Sequence, residues 1–383
     1  MRLPAPLLAT FAVAVISCAP SGSNANSANL SAGANDTPFN MEAVATFNEP
    51  WAMTFLPGGS AALITQKNGK LMLWSKDSGA VEVKNIPKVD YGGQGGLGDV
   101  ILAPDFAASG HIYLSWAEAS ENNTRGAVVG MAKLNMAAAG GAALEGLKVI
   151  WSQYPKVTGR GHFGHRLAFS PDGKYLFIAS GERQKFDPAQ DMNSNLGKIV
   201  RLYPDGSIPK DNPFYVEGNA VRSQIWSLGH RNPLGLAFDA KGQLWNQEMG
   251  PAHGDELNLV LPKANYGYPK VSNGNHYDGR DIPDHRAGDG FAAPKAFWNP
   301  AISPSGLTFY NADLFPAWKN SMFLGALSGE ALVRVQIKGA NAVKADEWKM
   351  GARIREVETG PDGALWLLED GSSGRLLKLT PKK

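Results

Sequence analysis

Six of the chain's seven histidines fall between His162 and His285, in a stretch that also carries arginines, asparagines and acids able to do chemistry together. The first group is GHFGHRLAFSPDG, from Gly161. His162 is the natural general base at neutral pH, because an unperturbed imidazole titrates near ~6.5. Glu182, just past the strand that follows, could hold its ring. The His162–His165 spacing also suits a pair of zinc ligands, but no third ligand lies nearby. A lone loop histidine is as readily a structural hydrogen-bonding group. The second group is LGHRNPLGLAFD, from Leu228. Arg231 beside Asn232 suits a developing oxyanion or a carboxylate-rich ligand, and tying two elements together is the alternative. In the third group, EMGPAHGDELNLV from Glu248, the Gly250-Pro251 turn offers carbonyls and Asp255 and Glu256 add carboxylates. Such hard oxygens suit Ca²⁺, which takes about 6–8 of them, and a turn with two solvated acids is the plainer reading. The fourth group is RIREVETGPDGALWLLED, from Arg353. Arg353 and Arg355 alternate in a strand and so share one face, where two guanidiniums pair with acids or grip a polyanion.

The elements that must position these groups are short strands. An apolar or aromatic pair, a Pro/Asp/Gly turn and an alternating strand recur six times. The copies begin at Phe55, Ala103, Phe169, Phe238, Phe309 and Gly360. The turn residues set φ and the alternation marks half-buried strands. Second strands follow at GKLMLW, GKIVRL, ALVRVQI and GRLLKLT, which reads as a hairpin forming the inner half of a blade. MAAAGGAALEGL is the one helical candidate, and its glycines argue against it. Six copies about 50 to 70 residues apart predict an all-β fold: a six-bladed β-propeller with four-stranded antiparallel blades. A β-sandwich would not need six copies of one turn. The first strand is expected to close the ring against the last blade. Propellers place ligand sites at the mouth of the central channel, where these loops would meet.

Net charge is +2, from 37 basic and 35 acidic residues, so no basic field calls for nucleic acid. Cys18 is the sole cysteine, which excludes an intrachain disulfide and a thiolate metal cluster. Its place is informative. Met1-Arg2 is followed by an apolar run, Leu7 to Ile16, too short to span a bilayer, and then by Ser17-Cys18. This resembles a bacterial lipoprotein cleavage site, with an ordinary secretory signal as the alternative. The expectation is a signal peptide over 1–18, a Ser/Asn/Ala/Gly tether over 19–38 and a propeller over 39–383. A lipid anchor on Cys18 would then hold a periplasmic protein to the outer membrane.

From about Phe47 to Leu379 the chain carries GQGGLGDVILAPDF, GHFGHRL, LGKIVRLYPDGSIPKDNPF, LGHRNPLGLAFD, GPAHGDELN, NYGYP and RIREVETGPDG in order. In these it resembles the soluble aldose dehydrogenases dependent on pyrroloquinoline quinone (PQQ), the glucose/sorbosone dehydrogenase family. The resemblance implies a six-bladed propeller that oxidises sugars at C1 to the lactone, with PQQ and Ca²⁺ as cofactors. His162 would remove the C1 hydroxyl proton while hydride passes to the quinone, and Glu182 would orient His162. Gln94 would lie beside the sugar. Arg231 and Asn232 would contact the quinone, and Arg231 would also serve the catalysis. The carbonyls of Gly250 and Pro251 would hold Ca²⁺, with Asp255 near the metal. Arg353, Arg355 and Asp370 would grip the three carboxylates of PQQ. Trp298 would pack over the cofactor or the sugar. The partners implied are an aldose and an electron acceptor of the respiratory chain. The chain departs from the family at Ser328, where a lysine is often found. It departs again at His165, in place of a small residue, and at Met249, in place of a polar one. A metal-dependent lactonase on the same architecture, and a propeller that only binds glycan, are the rival readings.

Overall fold

Each of the six recurring turns closes the first hairpin of a four-stranded antiparallel sheet. The protein, described here from a computed structural model over residues 37–382, enters through β1 (Phe39–Phe47). Blade one is β2 (Pro50–Phe55), β3 (Ala61–Gln66), β4 (Lys70–Ser75) and β5 (Gly79–Val83). Blade two is β6 (Leu97–Leu102), β7 (His111–Ala119), β8 (Arg125–Asn135) and β9 (Ala143–Ser152). Blade three is β10 (Gly164–Phe169), β11 (Leu176–Ser180), β12 (Lys198–Leu202) and β13 (Ile225–Leu228). Blade four is β14 (Pro233–Phe238), β15 (Leu244–Glu248), β16 (Asp255–Leu259) and β17 (Ala296–Trp298). Blade five is β18 (Pro304–Tyr310), β19 (Ser321–Ala326), β20 (Ala331–Lys338) and β21 (Asn341–Lys349). Blade six is β22 (Ile354–Thr359), β23 (Leu365–Glu369) and β24 (Gly374–Pro381), completed on its outside by β1. The ring is thus closed by the first strand on the last blade, with Phe39 opposite Pro381 and Phe47 opposite Gly374.

The first strands of neighbouring blades touch one another around the axis. The hairpin read from GKLMLW and its equivalents is therefore the middle pair of each blade, not the inner half. The innermost strand is the one that precedes the turn. The glycine-rich MAAAGGAALEGL segment forms a turn and then β9, as its glycines require. The residues before Thr37, including the expected signal peptide and Cys18, lie outside the described residues.

Alternation along each strand sends side chains to both sheet faces, and every blade buries both faces against its neighbours. Six apolar clusters result, one at each blade junction. The cluster between blades three and four is small. Behind it Ser227, His230, Glu248 and Asn258 are buried and hydrogen-bonded in one network.

The axis is closed by charge. The third residue of each first strand is Ala52, Asp99, Arg166, Gly235, Gly306 and Glu356. Small residues on three of the strands leave room for Arg166 between Asp99, 3.4 Å away, and Glu356, 2.5 Å away. A Cβ on Gly306 would lie 2.4 Å from a Glu356 oxygen, so that glycine makes the space the carboxylate fills. Arg166 also donates to the Leu234 carbonyl at 2.7 Å and stacks 4.3 Å from the Trp51 ring. Burial pushes Glu356 up to about 7 even against the pull of Arg166.

Replacing Arg166 by Met is expected to destabilise the fold by about 3–5 kcal/mol, because it strands two buried acids. An acid whose folded pKa lies above its unfolded value costs stability as pH rises between the two. Losing the cation raises Glu356 further, so the deficit relative to wild type grows as pH rises from 5 to 8. Thermal melts of both proteins at pH 5 and pH 8 check this. An equal deficit at both would show that Arg166 acts through packing.

Candidate active site at the channel mouth

Above Arg166 the channel widens into a cavity of about 430 Å³. Trp51, His165 and Leu234, from three first strands, line it, together with Gln94, Arg353, Arg355 and Asp370. His165 is thus a strand residue, the second of β10, and not a loop residue. It is buried, stacked on Phe163 and set edge-on to Trp51 at 5.6 Å. Burial pushes it down to about 3, so its ring is neutral. Among the described residues no group of three or more His, Cys, Asp or Glu side chains could hold a metal ion, which leaves the His162–His165 zinc reading without a site.

His162 sits at the cavity edge between Gln94 and Phe163, both lining residues. Its backbone is left-handed at φ 49°, and Gln94 Oε1 accepts its N–H at 2.8 Å. Glu182 Oε1 meets His162 Nδ1 at 2.5 Å, while Glu182 Oε2 accepts the N–H groups of Lys185 and Phe186. Burial pulls the His162 pKa below its ordinary value. The Glu182 hydrogen bond opposes that shift, and Arg231 and Arg183 reinforce it. Burial alone would raise Glu182, but the His162 contact and the backbone donors hold it below the usual carboxylate range. An ionised Glu182 fixes the proton on Nδ1. Among the described residues Nε2 has no hydrogen-bond partner and it is open to solvent, so it carries the free lone pair. A Cβ on Gly181 would fall 2.2 Å from the His162 carbonyl oxygen, so only glycine lets the two loops meet this closely.

Arg183, absent from the sequence reading, holds this loop. Its guanidinium is fully buried and donates to the carbonyls of Gly161, Gly159 and Arg125, and it stacks 3.7 Å from Phe163. No acid pairs with it among the described residues. Its signal in the sequence was a bare arginine next to Glu182. Trp51, Glu49 and Lys67 also line the cavity and were not singled out.

Arg231 and Asn232 stand at the end of the loop before β14. Glu248 accepts the Arg231 N–H at 2.6 Å and holds its backbone. The Arg231 side chain donates to the carbonyls of Met249, at 3.1 Å, and Gly250, at 2.5 Å. The exposed Tyr277 ring lies 5.6 Å from the same guanidinium. Arg231 Nε and Asn232 Oδ1 are buried without a partner among the described residues. Asp370 divides itself between two cations: its Oδ2 accepts Arg353 Nε at 2.9 Å, and its Oδ1 accepts Arg355 Nε and Nη2 at 3.1 and 3.0 Å. Arg353 and Arg355 therefore share one face, as their spacing required, and among the described residues the terminal nitrogens of Arg353 have no hydrogen-bond partner.

Two expectations change. Trp298 does not lie over the cavity. It is in β17, the outermost strand of blade four, buried in the core between blades four and five with Lys344 5.0 Å over its ring. Its place in the sequence, after a long loop, hid that register. Asp255 is not free for a metal. Its Oδ1 accepts the Gly250 N–H at 2.9 Å, and its Oδ2 accepts those of Ile302 and Ser303 at 2.7 Å each. It shapes the Gly250-Pro251 turn instead.

The sequence model of the family described as glucose/sorbosone dehydrogenase matches residues 47–378. The chain belongs to this family. It is an oxidoreductase, and the relatives described next are named sugar dehydrogenases. It is 40% identical over 342 residues to the aldose sugar dehydrogenase YliI of Escherichia coli, covering 88% of this chain and 91% of that protein. The crystal structure of the soluble E. coli aldose sugar dehydrogenase in its apo form superposes with a TM-score of 0.85 at 40% identity, over 90% of this chain and all of that one. The PQQ-bound aldose sugar dehydrogenase of Streptomyces coelicolor superposes with a TM-score of 0.75 at 30% identity, over 90% of this chain and 98% of that one.

Titrating the His162 ring by NMR is expected to give a pKa below the ordinary ~6.5. Arg183→Gln removes a cation that lowers it, so the value moves up. Glu182→Gln removes the acceptor that raises it, so the value moves down. Shifts of the opposite sign would show that neither charge sets the protonation of His162.

Proposed function

We propose that this dehydrogenase oxidises the C1 hydroxyl of an aldose to the lactone, with PQQ as its electron acceptor. One observation carries the reading: a neutral His162, its tautomer fixed by Glu182, turns a free Nε2 toward solvent at a cavity edged by Arg353 and Arg355. The oxidation removes a proton from the hydroxyl and a hydride from C1. His162 Nε2 takes the proton, and Glu182 stabilises the imidazolium that forms. PQQ, when bound, supplies the two-electron acceptor. Gln94 fixes the backbone of His162 and stands where the sugar would lie. The unpartnered Arg231 Nε, Asn232 Oδ1 and outer Arg353 donors fit a flat ligand with carbonyl and carboxylate oxygens.

Calcium is less well provided for. The Gly250 carbonyl already accepts Arg231, the Pro251 carbonyl accepts the His253 N–H, and Asp255 is spent on backbone donors. A shell of about 6–8 oxygens would have to come largely from the quinone and water. We expect Ca²⁺ to bind together with PQQ and not before it. A lactonase would need carboxylates gathered on its metal, and family membership speaks against it. We further propose, from the sequence before Thr37, export to the periplasm and a lipid anchor on Cys18, with a respiratory-chain component receiving the electrons.

Purified apoprotein titrated with PQQ and Ca²⁺ is expected to oxidise aldoses with an artificial dye as acceptor. His162→Ala should cut kcat by about 10²–10⁴-fold, the usual worth of a general base. Calorimetry should show Ca²⁺ binding only when PQQ is present. Turnover unaffected by His162→Ala would sink the base assignment, and absence of any PQQ-dependent turnover would sink the quinone reading.

A further inference from the structure

Among the described residues lining the cavity, the charged side chains are Lys67, Arg353 and Arg355 against Glu49 and Asp370, which leaves the lining positive by one. The two arginines stand together on blade six and share Asp370. On the neighbouring blade five, Ser328 offers only a hydroxyl, which lies 2.8 Å from Ser303 Oγ. Lys67 occupies a different part of the rim, in the turn between β3 and β4. Its backbone is fixed on both sides: its N–H donates to the Glu49 carbonyl at 2.9 Å, and its carbonyl accepts the Leu97 N–H at 3.1 Å. A Cβ on Gly96 would fall 2.0 Å from that carbonyl, so the neighbouring loop packs hard against it. The ammonium lies 3.1 Å from Glu49 Oε1 and 5.8 Å from the Tyr91 ring centre. Glu49 is held from its other oxygen by the Tyr91 hydroxyl at 2.5 Å and by its own N–H to the Gly371 carbonyl at 2.8 Å. An ammonium has three donors, and among the described residues one carboxylate oxygen is its only ion-pair partner.

We propose that Lys67 is a third carboxylate-binding cation of this cavity, giving from blade one the basic contact that Ser328 does not give from blade five. The inference rests on the quinone reading above, whose ligand carries three carboxylates. Arg353 and Arg355 meet one end of such a ligand. Lys67, on an anchored turn and steadied by Glu49 and Tyr91, meets another, and loses little side-chain freedom in doing so because Glu49 already holds it.

The test is equilibrium binding of PQQ to the full-length apoprotein at saturating Ca²⁺, read by calorimetry and independent of turnover. Lys67→Met should weaken binding roughly ten- to a hundredfold, the worth of a hydrogen bond to a charged group. Lys67→Arg should stay near wild type. Adding Ser328→Lys to Lys67→Met should recover most of the loss. Thermal melts establish that each variant is folded. Binding by folded Lys67→Met equal to wild type would overturn the proposal and leave the quinone reading standing, as would an equal loss in Lys67→Met and Lys67→Arg. A wild-type protein that binds no PQQ would overturn the quinone reading and this inference with it.

Discussion

Arg166 lies buried in the middle of a channel that six blades cannot help leaving, and a guanidinium survives there only because its surroundings are built for it. Moving a charge of that size out of water costs several kcal/mol even after relaxation. Asp99 and Glu356 offset the charge, Leu234 accepts a hydrogen bond, and Trp51 covers one face. The same ion group decides where the cavity ends. Above it, Trp51, His165 and Leu234 make a floor. Below it, Thr54, Ile101, Ala168, Ala237 and Glu358 are only half-buried, as the walls of a wet channel would be. A ligand entering from the loops therefore meets a closed, largely aromatic base, and the His162 and Arg231 loops are referenced to the strands packed around it.

Those loops hold conformations that their residues do not prefer. His162, Arg183, Gln184 and Phe186 all have positive φ, which costs roughly 1–3 kcal/mol per residue unless the surroundings enforce it. The enforcement is visible. Arg183 ties the carbonyls of Gly159 and Gly161 to that of Arg125, Gln94 takes the His162 N–H, and Glu182 takes the N–H groups of Lys185 and Phe186. Strain held in this way fixes the direction of the His162 ring before any ligand arrives, which lowers the cost of reaching a reactive geometry.

The fold was legible because its signal is repetitive. Each Pro/Asp/Gly turn is local chemistry, and six local turns joined by alternating strands leave little choice but a ring. What local pattern does not carry is which strand lies innermost, since every strand of a blade is flanked by apolar neighbours, and so the GKLMLW hairpin was placed one strand too far in. The same limit explains Trp298. A tryptophan before a turn has equal claim to a cavity and to a core, and only the pairing of β17 with β16 sends it to the core. Arg353 and Arg355 were legible because alternation fixes their shared face. Arg183 and Lys67 were not. The first acts on carbonyls, which have no sequence signature, and the second becomes informative only when blade one is seen to stand against blade six.

Charge is used sparingly around the site, and that sparing use determines what the cavity can do. Asp370 is committed to Arg353 and Arg355, Glu182 to His162 and the loop, Glu248 to His230 and Arg231, and Asp255 to three backbone donors. No acid of this set is left to act as a base or to gather a cation by itself. His165 cannot take the role either, because its nitrogens are buried and its ring stays neutral. The cations, by contrast, keep unused donors. A site built this way attracts a polyanion and leaves a single proton acceptor, His162 Nε2, beside it. On the function proposed above, an uncharged sugar, which needs only hydrogen bonds and one base, would not compete for the groups suited to an anion.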